Sequence, residues 1–169
     1  MCPVVCPAPL TDFSRLCVHT ITTKPWSIEE ATQHYAAAGV RGVTVWRQWL
    51  ECRDIAKVGE NLRAEGIEIV SLCRGGFFPA ADAAGRQAAI DDNLKAIDEA
   101  VELGAPLVVL VCGAVPGQPL AESRGQIVDG IQAVLDRAAE AGVKLAIEPL
   151  HPMYAGFELQ LGEHATAAD

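Results

Sequence analysis

The sequence predicts an α/β fold built on parallel strands, and three observations predict it. Five short β-rich runs alternate with four helical stretches. Glycine follows each helical stretch, and the next β-rich run begins within a few residues. The later four runs are apolar along most of their length, as strands covered on both faces of a parallel sheet are.

The elements can be justified in chain order. Residues 1–15 form a Pro-rich, irregular extension, and MCPVVCPAPLTDF has no basic stretch of the kind that opens a secretory signal. Strands are expected at Leu16–Thr22, Gly42–Arg47, Ile67–Arg74, Pro106–Cys112 and Val143–Glu148. Helices are expected at Ser27–Ala38, Leu50–Glu65, Ala84–Leu103 and Leu120–Ala141. Ser27, followed by Glu29 and Glu30, reads as a capping serine ahead of an acidic first turn. Gly39, Gly66, Gly104 and Gly142 each stand where a left-handed residue ends a helix at low steric cost.

Two architectures suit this series, a doubly wound open sheet and a (β/α)₈ barrel. The turn after the first strand, TTKPWS, has no glycine, and no G-x-G-x-x-G or G-x-x-x-x-G-K-[ST] occurs in the chain. Nucleotide-loop chemistry therefore has no support. The pattern leaves sheet and barrel both open.

Composition narrows the function. Half of the 169 residues are apolar, so the chain can build a core and is not intrinsically disordered. With 13 Lys and Arg against 22 Asp and Glu the net charge is −9, which repels phosphate backbones and argues against a nucleic-acid partner. No apolar run approaches the roughly 18 residues of a membrane span. Cys2, Cys6, Cys17, Cys52, Cys73 and Cys112 are irregularly spaced, with no C-x-x-C pair. They read as reduced side chains of a cytoplasmic protein.

In parallel α/β folds functional groups gather at the carboxyl ends of strands. Those ends carry His19 and Thr20, then Trp46, Arg47 and Trp49, then Cys73, Arg74, Phe77 and Phe78, then Cys112 with Gly113, and finally Glu148 with His151. Aromatic walls, arginines, histidines and a carboxylate suit a small polar ligand. His19, Trp46, Arg47, Arg74, Phe77 and His151 are the candidate substrate-binding residues. Trp26, Trp49 and Phe78 are further candidates to line a sugar's apolar face. Arg47 and Arg74 suit an anionic group, or else pair with acids at neighbouring strand ends. His19 also reads as a satisfied histidine at the core or barrel mouth, and His151 as polar surface. Glu148 ends an apolar strand, where a carboxylate needs a cation or a hydrogen-bond network. It is the candidate catalytic residue and the candidate ligand of a divalent metal.

Four segments carry a family resemblance: HTITTKPWS (His19–Ser27), GVTVWRQ (Gly42–Gln48), SLCRGGFFPAADAAGRQAAIDDN (Ser71–Asn93) and LAIEPLHPMYA (Leu145–Ala155). Over about residues 16–155 the chain resembles the sugar-phosphate isomerase/epimerase group of the xylose-isomerase-like TIM-barrel superfamily. The resemblance implies a (β/α)₈ barrel, here partial, with about five βα units. It implies a divalent metal (Mn, Mg, Co or Zn) whose strand-five ligand carries over onto Glu148. Ligands from later strands find no positions here. Residues 156–169 show no strand–helix rhythm, and no role is carried onto Glu158, Glu163 or His164.

The implied chemistry is proton transfer beside a carbonyl of a sugar or sugar phosphate, through a metal-stabilised enediolate. The superfamily's endonuclease branch fits less well, because this chain has SLCRGG where that branch places a metal-binding histidine. A complete (β/α)₈ barrel takes about 250 residues. The length therefore predicts a chain truncated after strand five. Such a chain would expose sheet edges and associate with itself or aggregate through them.

Overall fold

The structure is a computed structural model and describes residues 11–148. Residues 1–10 and 149–169, and with them His151 and most of the expected extension and tail, lie outside the described residues. Five strands, β1 (Cys17–His19), β2 (Gly42–Trp46), β3 (Glu68–Gly76), β4 (Leu107–Val111) and β5 (Lys144–Ile147), alternate with four helices. The helices are α1 (Ile28–Ala37), α2 (Ile55–Ala64), α3 (Ala83–Leu103) and α4 (Leu120–Ala141).

All neighbouring strands pair in parallel, in the order β1-β2-β3-β4-β5. This order decides between the two architectures left open by the pattern. Right-handed crossovers that always add the next strand on the same side place every helix on one face. A doubly wound sheet needs a reversal of order, and none occurs. The result is five units of a TIM barrel, with β-bulges at Val43/Thr44 and between Cys73 and Gly75 increasing the local twist.

Helix ends follow the capping chemistry. Ser27 and Glu30 form a reciprocal capping box, the Ser27 hydroxyl accepting from the Glu30 amide and the Glu30 carboxylate from the Ser27 amide. Gly39, Gly66, Gly104 and Gly142 all take positive φ, as expected. The second helix begins later than predicted, at Ile55, because Asp54 accepts from the Lys57 amide and caps it. Arg47–Leu50 is instead a separate 3₁₀ turn.

The first strand is also shorter than predicted. Thr20–Thr23 leave the ladder for a 3₁₀ turn, where the Thr20 hydroxyl accepts from the Trp46 amide and the Thr23 hydroxyl bonds that of Tyr35. Threonine looks strand-like by propensity, but its hydroxyl competes for backbone groups.

One core fills the space between sheet and helices. Val43, Val45, Leu72, Val108 and Leu110 from the strands cluster with Ala31, Tyr35, Leu62, Ile97, Leu103 and Val134 from the helices. The other face of the sheet is more polar. Thr44 and Ser71 share a register position with His19, and their hydroxyls bond each other at 2.8 Å, with the Cys17 sulfur 3.5 Å from Thr44 Oγ1.

β5 departs from the expectation of a doubly covered strand: Lys144 and Ile147 are exposed, because no described element packs beyond it. Phe78, a candidate pocket residue, is instead sealed in the core, where its ring lies where a Cβ at Gly130 would be.

The end of β3 is the tightest point. Gly76 has φ of 101°, and a Cβ there would lie 1.9 Å from the Val111 carbonyl oxygen. Gly76→Ala is therefore expected to destabilise the fold by at least about 2 kcal/mol, since backbone has to move. Gly125→Ala, in open space on α4, should be neutral or stabilising by up to about 1 kcal/mol. Urea denaturation of the two variants checks both signs, and equal midpoints would contradict the close approach.

Candidate functional site

The strand ends present two distinct surfaces. On the inner face, Trp46 of β2 is level with Cys73 of β3, Cys73 with Val109 of β4, and Val109 with Ala146 of β5. Glu148 follows two residues beyond Ala146, so strand alternation carries it to the same face. Its amide extends the ladder by donating to the Leu110 carbonyl at 3.0 Å. The carboxylate is exposed and makes no ion pair with a described residue.

His19 closes the other side of this mouth. Its Nδ1 accepts from Trp46 Nε1 at 3.2 Å, while the Trp46 amide is held by the fully buried Thr20 hydroxyl at 3.0 Å. Cys73 sits between these groups. Burial, then the Glu148 charge, push its thiol up to about 12 against the opposing pull of Arg74. The thiol is therefore protonated at neutral pH, and it reports that Glu148 lies within electrostatic reach.

The second surface lies against α3. Arg74, one residue beyond Cys73 and at the β3 bulge, contributes to this second surface. Arg47, Gln48, Arg74, Phe77, Asp92 and Lys95 are among the residues lining a cleft of about 330 Å³. Arg47 grips Asp92 with two bonds of 2.8 Å and Glu99 with one of 2.6 Å. Burial works against the Arg47 charge, but the hydrogen bonds to Asp92 and Glu99 outweigh it and raise its pKa overall. Arg74 stacks over the Phe77 ring, 4.2 Å from its centroid, and burial lowers its pKa.

Of the residues picked from sequence, the structure thus brings His19, Trp46 and Glu148 to the inner mouth. Arg47, Arg74 and Phe77 line the cleft beside α3. Trp26 and Trp49 support the loops: Trp49 Nε1 donates to the Trp26 carbonyl at 2.8 Å, and the Trp26 ring meets His34 and Tyr35.

Strand-end reasoning reached Thr20 but gave it no role, although it anchors Trp46; it missed Asn93, which fixes the end of β3. The Asn93 side chain is bonded to both the amide and the carbonyl of Gly76, at 2.6 and 2.8 Å. A polar residue on the apolar face of α3, one turn after Ala89, was the available signal for Asn93.

Among the described residues, no group of three His, Cys, Asp or Glu side chains gathers so as to hold a metal ion. Glu148 offers one hard oxygen donor, and the protonated Cys73 thiol is a poor ligand. The described residues therefore do not fit a complete metal site. No helix among them is long and apolar enough to cross a membrane.

The family model of the xylose isomerase-like TIM barrel matches residues 33–168. The chain belongs to that family. A solved structure of protein SMc04130 from Sinorhizobium meliloti 1021 is 45% identical, with a TM-score of 0.76, over 82% of this chain and 52% of that one. IolI protein, solved with a binding zinc atom, is 20% identical with a TM-score of 0.68, over 78% of this chain and 50% of that one. D-psicose 3-epimerase, solved in the presence of D-fructose, is 18% identical with a TM-score of 0.68, over 80% of this chain and 52% of that one. These last two share the fold. The chain spans about half the length of these three solved relatives. Comparison with curated proteins gives no match.

The Arg47 network gives a pH dependence with a defined sign. The hydrogen bonds from Arg47 hold the Asp92 carboxyl below its ordinary 3.8. A depressed carboxyl contributes stability that is present above 3.8 and is lost as pH falls through the lower folded value. Asp92 is half exposed, so its contribution is at most about 1 kcal/mol. Denaturant midpoints of the wild type and Asp92→Asn should differ at neutral pH and converge in acid. A difference that persists unchanged in acid would show that the Asp92 charge contributes nothing.

Proposed function

We propose that this chain serves a sugar isomerase or epimerase reaction in which Glu148 moves the proton. The observation that carries the reading is the position of Glu148: a carboxylate at the end of β5, on the inner face of a xylose isomerase-like barrel segment. A carboxylate there can take the proton from the carbon beside a carbonyl, as the C–H electron pair moves into an enediolate. Trp46 and His19 on the same face offer an apolar ring and a polar edge, the two kinds of surface a sugar presents. The epimerase among the structural neighbours supports the same reaction class.

Arg47, engaged by Asp92 and Glu99, acts in this reading as a brace for Arg74 and Phe77 at the edge of the site. His151, three residues after Glu148 in sequence, is kept as a substrate-binding candidate from the LHPMY segment. The resemblance and the zinc bound to IolI support a divalent metal (Mn, Mg, Co or Zn), with Glu148 as one ligand. A net charge of −9 favours small sugars over nucleic acid, and irregular cysteine spacing with no C-x-x-C pair accords with a cytoplasmic setting.

In D₂O with D-fructose and Mn²⁺, the wild type should incorporate deuterium beside the carbonyl. Glu148→Gln should slow this at least about 100-fold. Proton NMR of the sugar reads the exchange, and a wild-type rate no higher than the variant's removes the proposal for this chain.

A second reading follows from the uncovered side of β5. Ile147 is 60% exposed, and Val128 and Leu135, two turns apart on α4, are 53% and 50% exposed. This apolar surface supports a non-catalytic partial barrel that associates through its sheet edges. Sedimentation should then show a dimer or larger species that Ile147→Lys with Leu135→Glu weakens. A wild-type monomer with a cooperative melt is the contrary result.

A further inference from the structure

The Trp46–His19 contact assigns the histidine's protonation. An indole nitrogen donates and cannot accept, so the atom that receives it must carry a lone pair. That atom is His19 Nδ1, at 3.2 Å. The imidazole is then neutral, with its proton on Nε2. An imidazolium would put two donors face to face and lose the bond.

The Trp46 backbone is held in place, its amide tied to the buried Thr20 hydroxyl and its residue level with buried Cys73 in the sheet, so the indole starts from a set position beside His19. The far ring nitrogen of His19 makes no hydrogen bond to a described residue, and the side chain is exposed at the inner mouth. An N–H donor with no partner among the described residues thus stands on the same face as the Glu148 carboxylate.

We propose that Trp46 locks His19 in the Nε2–H tautomer, so that His19 recognises a neutral hydroxyl or carbonyl oxygen of the sugar and not an anionic group. The inference rests on the sugar reading above and deepens it. His19 is the binding residue, and Trp46 is a positioning residue that acts through it. A neutral donor bonds a hydroxyl or carbonyl oxygen without the desolvation that an ion pair demands, and it gives a phosphate no counter-charge. The cation-bearing surface, Arg47 with Arg74, lies in the separate cleft against α3.

Imidazole ¹⁵N NMR on the full chain tests the lock directly. His19 should show the Nε2-protonated pattern, and Trp46→Phe should release it to a mixture of tautomers. D-fructose should shift the His19 Nε2 resonance selectively, whereas inorganic phosphate should leave it in place. His19→Phe should weaken D-fructose binding about tenfold, as expected for one lost hydrogen bond. A wild-type tautomer mixture matching that of Trp46→Phe overturns the lock. A His19 response to phosphate but not to D-fructose overturns the preference for neutral oxygen, and so does no response to either. If D-fructose shifts His19 but deuterium exchange at the sugar is absent, the proton-transfer reading fails and this assignment stands.

Discussion

Asn93 on α3 is 2% exposed, and its side chain is committed to backbone groups. Oδ1 accepts from the Gly76 amide, and Nδ2 donates to the Gly76 carbonyl and also to that of Ala89. Two buried backbone groups at the end of β3 would otherwise be unsatisfied, each at a cost of about 1–3 kcal/mol. The clamp holds Gly76 so close to Val111 that no side chain fits between them. Phe77 then enters a left-handed conformation with φ of 52°, its amide bonded to the Val111 carbonyl at 2.7 Å. The direction in which each β3 end residue projects follows from this arrangement.

That direction divides the chemistry between two places. Cys73 stays level with Trp46 and Val109 on the inner face, where it senses Glu148. Arg74, one residue later and in the bulge, lines the cleft against α3 with Arg47. There a part-buried guanidinium between two carboxylates joins the end of β2 to the middle of α3. Such a network adds little net stability, since desolvation offsets most of the attraction. It does restrict how α3 can dock, because any other arrangement leaves the buried charge unpaired. Neutral recognition at the mouth and charge pairing in the cleft are thereby kept apart.

The fold was largely legible in the sequence, because its signals are local. Ser27 with Glu30, and the four glycines after the helices, act within one turn of chain, and each behaves as its chemistry predicts. Errors arose where a distant partner intervened. Thr20 leaves its strand for a bond to Trp46, 26 residues away. The late start of α2 is the exception, a local one: Leu50 reads as helical, yet the helix begins only after the cap at Asp54. Phe78 reads as a pocket wall beside Phe77, but it fills the space left by Gly130 on α4.

The candidate site was legible in its residue types and not in its grouping. Strand-end reasoning picked out His19, Trp46, Arg47, Arg74, Phe77 and Glu148 as candidates, and the structure places them at or beside one rim, since parallel strands bring their carboxyl ends together. By itself the sequence determined the parallel α/β class, the helix boundaries set by caps, and the carboxylate that closes the fifth strand. Those properties rest on periodicity and on contacts between near neighbours. Only the tertiary structure decided that the strands follow one another in order, that a bulge separates Cys73 from Arg74, and that Trp46 meets His19. Each depends on hydrogen bonds between residues that are distant in sequence and adjacent only once the sheet has formed.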